Sequence, residues 1–201
     1  MRIAVFGGTF DPPHLGHLNL AKNVLSHYFA DQILFIPSAS PPHKKSKDIT
    51  SFNHRVNMLD ILVGENENFK VSTIEEERLP ELSFTVETMR VLKKRNPVDE
   101  FYLLIGGDSC LNLHSWCKAN ELVAENNFLV YPRPDSYISY DNLLLNWDEG
   151  MAKKLFESQI SLPLKDISSS EIRKKIHLGT DVSCVLSDGV YEYIKANSLY
   201  S

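Results

Sequence analysis

Arg2-Ile3-Ala4-Val5-Phe6-Gly7-Gly8-Thr9-Phe10-Asp11-Pro12-Pro13-His14-Leu15-Gly16-His17 is the stretch whose reading decides the fold class. Arg2 to Phe6 is a largely apolar run that reads as a buried first strand, and it ends at Gly7-Gly8, where backbone turns tightly or approaches a ligand closely. Pro12 and Pro13 then fix the path of the loop. After His17, apolar residues at Leu18, Ala21, Leu25 and Tyr28 fall near helical spacing. The stretch therefore reads as a strand, a constrained loop and a helix, the first half of a βαβ unit.

The same alternation continues along the chain. Gln32 to Ile36 is a second strand, stopped by Pro37, and Ser38 to Thr50, with two prolines and four basic side chains counting His43, is a loop. A helix resumes over Ser51 to Val63, Phe69 to Ile74 alternates like a strand, and Phe84 to Arg95 is helical up to Asn96-Pro97. Phe101 to Ile105 is the next buried strand, closed by Gly106-Gly107, and Phe128 to Tyr131 is another, stopped by Pro132. Pro134 to Gly150 shows little periodicity and suggests no element. An element over Ile160 to Leu164, a helix opening near Ser168 and a last helix around Val190 to Ala196 complete the pattern. Strands separated by helices imply a doubly wound, Rossmann-like parallel sheet, and the length of 201 residues fits one domain spanning 1–201. In such a sheet ligands bind at the carboxyl ends of the strands. Gly7-Gly8, Ser38 to Lys44, Gly106 to Asp108 and Arg133 all follow strand ends, so they should gather on one rim.

Composition excludes several classes of function. At 43% hydrophobic and 23% charged the chain is that of an ordinary globular protein. No apolar run approaches the roughly 18 residues of a membrane span, and the N-terminus is too short and too weakly charged for a secretory leader. A cytoplasmic protein is expected. Three cysteines (Cys110, Cys117, Cys184) with no CxxC spacing argue against both a disulfide framework and a cysteine zinc site. A net charge of −5 argues against nucleic-acid and anionic-membrane partners. It leaves room for a small anionic ligand, which needs only a few local cations and amides.

Two segments carry chemistry on physical grounds. His14 and His17 lie three apart at a helix start, which puts both rings on one face beside free amides and the positive dipole end. Two imidazoles there can donate to phosphate oxygens as charge builds. Core or surface histidines remain an alternative. Zinc would need further ligands that nothing nearby supplies, and a G-x-G-x-x-G fingerprint is absent. At the other end of the chain, Ser168 and Glu171 have capping-box spacing, so a helix starts at Ser168 with Arg173 one turn in. That, too, presents amides and hydroxyls to an anion; a plain capped helix with a solvated arginine is the alternative.

The string GGTFDPPHLGH resembles the HxGH first loop of the nucleotidyltransferase superfamily, and Ile167-Ser168-Ser169-Ser170-Glu171-Ile172-Arg173 resembles its ISSTxIR motif, with Ser170 in the threonine position. Pro41-Pro42-His43-Lys44 is similar to the PPHK loop of the bacterial nicotinate-nucleotide adenylyltransferases, and Ser83-Phe84-Thr85-Val86-Glu87-Thr88 to their S-[YF]-T-x-x-T stretch, where Ser83 also reads as a helix N-cap. Gly106-Gly107-Asp108, Trp116 and Arg133-Pro134 resemble their G-[AG]-D, W and RP run, although Asp135 stands where a glycine often follows. The resemblance runs in order from Arg2 to Arg173.

The resemblance implies a nucleotidyltransferase that joins ATP to nicotinate mononucleotide. ATP would lie against Gly7, Gly8, Thr9, Phe10, His14, His17, Ser168, Ser169, Ser170 and Arg173, with His14, His17, Lys44 and Arg173 as the catalytic set. The mononucleotide would meet Lys44, Thr85, Gly106, Asp108, Trp116 and Arg133. Mg²⁺ would be carried by the triphosphate rather than by protein ligands. A homo-oligomer is compatible with all of this. The rival readings are a pantetheine-phosphate adenylyltransferase or cytidylyltransferase sharing the first motif, and a nucleotide-binding regulator without turnover.

Overall fold

The computed structural model describes residues 1–41, 49–131, 137–163, 165 and 167–201. Five strands, β1 (Arg2–Gly8), β2 (Gln32–Pro37), β3 (Phe69–Val71), β4 (Glu100–Gly106) and β5 (Asn127–Tyr131), form one sheet in the order β3-β2-β1-β4-β5. Every pairing is parallel. The helices among the described residues are α1 (Leu15–Ser26), α2 (Phe52–Val63), α3 (Thr85–Arg95), α4 (Gly107–Asn112), α5 (Ala119–Glu125), α6 (Tyr140–Leu144), α7 (Glu149–Glu157), α8 (Ser169–His177) and α9 (Asp188–Ala196). This is the doubly wound arrangement expected from the sequence.

Why β1 reads as an unbroken apolar run is visible in its surroundings. It is the central strand, and Ile3 and Val5 enter one core with Val86, Met89 and Leu92 of α3 and Leu122 and Val123 of α5. Ala4 and Phe6 face the opposite core, with Leu20, Ala21 and Val24 of α1 and Leu59 of α2. A strand covered on both faces has no solvated side on which to place polar residues. A third cluster joins Met58 and Leu62 of α2 to Ile172 of α8 and Val190 and Ile194 of α9. The chain runs β1-β2-β3 outward on one side, then crosses back to place β4 and β5 on the other. The switch point therefore lies between β1 and β4, where Gly7-Gly8 and Gly106 end neighbouring strands.

Several expectations change. Gly7 and Gly8 do not turn: they extend β1 and stay in register with Ile36 and Pro37. The turn falls on Phe10, whose φ is +51°. Tyr28 is not on the core face of α1, which ends at Ser26; Tyr28 sits at φ +59° and is 80% exposed. The strand over Phe69 to Ile74 shortens to three residues. Of the element expected over Ile160 to Leu164, the described residues 160–163 contribute no strand to the sheet. Only Gln159 bridges Val130, and Ile160 N–H donates to the Val130 carbonyl at 2.9 Å. Pro134 to Gly150, read as featureless, contains α6 and the first residues of α7, capped by Ser139 and Asp148 accepting from Asn142 and Met151. Helices of five to nine residues, such as α4 to α7, are too short for periodicity to register.

Candidate functional site

The histidine pair is built by the entry into α1. His14 is the extended N-cap, 4% exposed, and the Nδ1 of His17 accepts its backbone N–H at 3.2 Å. This is one arm of a capping box with histidine in the usual glutamate position. An Nδ1 that accepts an amide carries no proton, so the neutral ring holds its proton on Nε2 and is a donor there. The two rings stack with centroids 3.7 Å apart and planes 25° apart. Phe10, buried by its left-handed turn, presses edge-on against His17 at 5.0 Å and against Phe6 at 5.5 Å. Gly16 makes room for His14. A methyl at Gly16 would stand 3.0 Å from His14 Nδ1 and 3.2 Å from Ile167 Cβ.

The second anion element is docked onto the first. Ser169 Oγ donates to the Pro12 carbonyl at 2.9 Å, and Arg173 Nη1 donates to the Asp11 carbonyl at 2.6 Å, with Nη2 on Ser170 Oγ at 3.2 Å. The start of α8, some 160 residues away in sequence, thus grips the loop that carries the histidines. Ser168 is the N-cap as expected, but its side chain makes no capping hydrogen bond, so the capping box with Glu171 is not formed. Ser83 is not an N-cap either. Phe84 holds that place in α3, and Ser83 Oγ instead accepts the Ser40 N–H at 2.9 Å while Ser83 N–H donates back to the Ser40 carbonyl. In this case a tertiary partner outcompetes the local cap.

Beside these loops a groove runs across the carboxyl ends of the sheet. One cavity of about 370 Å³ is lined by Ser38, Pro41, Phe84, Thr85, Trp116 and Cys117 among others. A second, of about 250 Å³, shares Ser38, Ser83, Thr85 and Trp116 and reaches Gly7, Gly8 and Thr9. Trp116 is half-buried, with part of its surface on the α3–α5 core and part on both cavities, so it is not simply a core residue. A methyl at Gly7 would meet no atom within 4 Å, whereas one at Gly106 would stand 2.5 Å from Asp108 Oδ1. Gly106 therefore lets the Asp108 carboxylate fold back over the end of β4. Asp108 itself is exposed on the rim, and Ser109 rather than Asp108 lines the cavity. Lys44 and Arg133, expected to hold phosphate, lie outside the described residues.

Sequence reasoning missed two buried polar groups. Arg55 on α2 is 2% exposed, and its guanidinium donates to three backbone carbonyls: Thr50 at 2.9 Å, Thr9 at 2.7 Å and Ser38 at 2.8 Å. It ties the loop after β1 to the loop after β2. Burial lowers its pKa from the ordinary arginine value, while the nearby Asp11 carboxylate favours the charged form. The available signal was its position on the stripe Arg55, Met58, Leu59, Leu62, where an apolar residue belongs. Glu75, 8% exposed, accepts from Thr88 Oγ1 at 2.9 Å and from Ala39 N–H at 3.3 Å, lacing the same loop to α3. Among the described residues no group of three or more His, Cys, Asp or Glu could hold a metal ion. Nor is any described helix long and apolar enough to cross a membrane.

The pattern of the cytidylyltransferase-like family matches residues 5–175. The chain is 34% identical over 200 residues to a probable nicotinate-nucleotide adenylyltransferase of Clostridium tetani, covering 98% of each chain. It is 35% identical over 199 residues to the nicotinate-nucleotide adenylyltransferase of Bacillus subtilis, covering 99% of this chain and 98% of that one. The fold matches that of a Plasmodium falciparum nicotinic acid mononucleotide adenylyltransferase complexed with NaAD, with a TM-score of 0.80 at 22% identity, covering 99% and 97% of the two chains.

Proposed function

We propose, for a chain that belongs to the cytidylyltransferase-like family and within it to the nicotinate-nucleotide adenylyltransferases, that it transfers AMP from ATP to nicotinate mononucleotide, giving nicotinate adenine dinucleotide and pyrophosphate in NAD biosynthesis. The observation that carries this reading is the docking of α8 on the histidine loop through Ser169 and Arg173. It brings together two helix starts, each of which offers amides and donors suited to phosphate. The whole chain reads as one such domain.

No side chain need act as a covalent nucleophile. A phosphate oxygen of the mononucleotide attacks the α-phosphorus in line, the new P–O bond forms, and the bond to the β-phosphate oxygen breaks as pyrophosphate leaves. His14 and His17 donate to the α- and β-phosphate oxygens as charge shifts to the leaving group, His17 through Nε2. Ser168 to Ser170, Arg173 and Lys44 hold the pyrophosphate, beside the Gly7 to Phe10 backbone. Thr85, Gly106, Asp108, Trp116, Lys44 and Arg133 hold the mononucleotide, with the pyridine ring stacked on the Trp116 face. ATP enters as its divalent-metal complex. Mg²⁺ is the ion we assign, travelling as part of the substrate, because Mg²⁺ is usually bound through the substrate's phosphates.

Pyrophosphate release from ATP and Mg²⁺ tests the reading, with nicotinate mononucleotide, nicotinamide mononucleotide and phosphopantetheine compared in parallel. Strong preference for the first is expected. Release only with another acceptor would keep the ATP site and overturn the substrate, and ATP binding without release in any arm would overturn the enzyme.

A further inference from the structure

The carboxylate of Asp11 lies at the turn of the histidine loop, three residues before His14, and is 3% exposed. Its Oδ2 accepts the Thr50 N–H at 3.3 Å. Its Oδ1 accepts the hydroxyl of Tyr200 at 2.6 Å, a partner 189 positions away that arrives from the segment following α9. That segment bends twice to deliver it: Ser198 has φ +49° and Tyr200 itself φ +65°. Side chains with a Cβ hold the left-handed region only when surroundings compensate for the strain. The hydroxyl is strongly held as a donor, since burial first and the Asp11 carboxylate second push its pKa well above that of a free tyrosine.

We propose that Tyr200 is a positioning residue for the ATP half of the site, its hydroxyl fixing through Asp11 the loop that presents His14 and His17. The loop is tied at three successive levels. Arg55 holds the Thr9 carbonyl, Arg173 and Ser169 hold the Asp11 and Pro12 carbonyls, and Tyr200 holds the Asp11 side chain. The first two ties are to backbone, which any residue at those positions would offer. The Tyr200 tie depends on the aspartate side chain, as does the longer bond from the Thr50 N–H, and of the two it is the one made by another side chain. It also links α9, packed on α2 in the third hydrophobic cluster, to the reacting centre. The inference rests on the adenylyltransferase reading for its catalytic readout, but its effect on nucleotide binding stands apart from the identity of the acceptor.

Tyr200→Phe keeps the ring in that cluster and deletes only the hydroxyl, leaving a buried carboxylate oxygen without its partner. The expected result is a drop in kcat of about tenfold, as small misplacement of catalytic groups produces. The affinity for a non-hydrolysable ATP analogue falls severalfold, and the KM for nicotinate mononucleotide stays within about twofold because neither Tyr200 nor Asp11 lines the Trp116 groove. Asp11→Asn should give a similar drop, and the double variant should be no worse than the single ones, as for two groups acting through one contact. Tyr193→Phe is the structural control: it removes the hydroxyl that joins α9 to His54 and Asn57 of α2, each at 2.9 Å, and should lower Tm without changing kcat. Unchanged kcat and analogue affinity in Tyr200→Phe, additive losses in the double variant, or an equal kcat loss in Tyr193→Phe would each overturn the proposal. Wild-type protein that releases no pyrophosphate with any acceptor would instead remove the adenylyltransferase reading, and the analogue arm would then decide the role of Tyr200.

Discussion

Replacing Gly16 by alanine separates catalytic geometry from stability. The added methyl would stand 3.0 Å from His14 Nδ1, 3.1 Å from Cε1 and 3.2 Å from Ile167 Cβ, against ordinary contacts of 3.4 Å or more. The His14 ring must yield by about 0.4 Å, the difference between those figures (3.4 − 3.0), yet its retreat is limited because it stacks on His17 at 3.7 Å. Overpacking of this kind costs about 1–3 kcal/mol. Removing a glycine from a helix returns up to about 1 kcal/mol, less here because Gly16 lies in the first turn of α1. The net loss of stability is therefore about 0–3 kcal/mol, or a fall in Tm of at most about 12 °C for a chain of this size. Catalysis should suffer more, because the displaced ring is one of the two to which we assign the developing charge. We expect kcat to fall about 10- to 100-fold.

The assay is steady-state pyrophosphate release with both substrates saturating, run beside a thermal melt of the same preparation. A kcat within about twofold of wild type, at any Tm, would show that His14 does not need its present seat. A fall in kcat that only tracked the fraction unfolded at the assay temperature would equally refute the reasoning. The informative pattern is a folded variant with a slow chemical step.

Three other substitutions and measurements test separate parts of the site. His17→Ala should lower turnover by about two or more orders of magnitude, as loss of a transition-state donor does; near-normal kcat would remove His17 from the reaction. Trp116→Ala should weaken binding of nicotinate mononucleotide far more than of ATP, read by titration of each ligand alone; equal losses would exclude the stacked ring. Cys110 is fully buried, and burial pushes its thiol up to about 12, whereas Cys117 and Cys184 are exposed. Thiol labelling of the native protein at pH 8 should therefore reach Cys117 and Cys184 quickly and Cys110 only on unfolding, with nicotinate mononucleotide slowing Cys117. The unfolded thiol ionises near the ordinary cysteine value of 9.0 while the folded one stays protonated, so the Cys110 contribution is intact below about pH 9 and is lost as pH rises toward 12. Melts that stabilise over that range in wild type relative to Cys110→Ala would contradict it.

What was legible in the sequence was governed by local physics. The strands were found because central parallel strands must be apolar on both faces, and the histidine loop because glycines, prolines and a helix start follow one another without interruption. The features that escaped are set by distant partners. Ser83 and Ser168 carry good local capping signals, yet Ser83 bonds Ser40 and Ser168 makes no cap bond. Arg55 is a charge on the buried stripe of α2, and only the three carbonyls around it explain why it is buried. The bond from Tyr200 to Asp11 has no local signature at either end. Gly7-Gly8 misled in a specific way: glycine signalled a turn, but the turn lies at Phe10. Gly7 instead borders the acceptor groove with open space where a side chain would sit.

The two prolines explain why the halves of the site come together. In Asp11-Pro12-Pro13 the peptide units carry the carbonyls of Asp11 and Pro12 but no N–H, because the nitrogen of each belongs to proline. Asp11, Pro12 and Pro13 are all buried, so those carbonyls need donors from elsewhere, and an unpaired buried carbonyl would cost about 1–3 kcal/mol. Ser169 and Arg173 supply those donors from the start of α8. A loop with ordinary amides in its place would keep some of its hydrogen bonding to itself and need α8 less. The acceptor-only loop makes the serine-arginine helix part of its own folding, so the helix start to which we assign the leaving pyrophosphate is seated by its bonds to the loop that carries the histidines. Arg173 spends Nη1 on the Asp11 carbonyl and Nη2 on Ser170, a two-ended hold on the loop and on its own helix that lysine, with its compact ammonium, could not match.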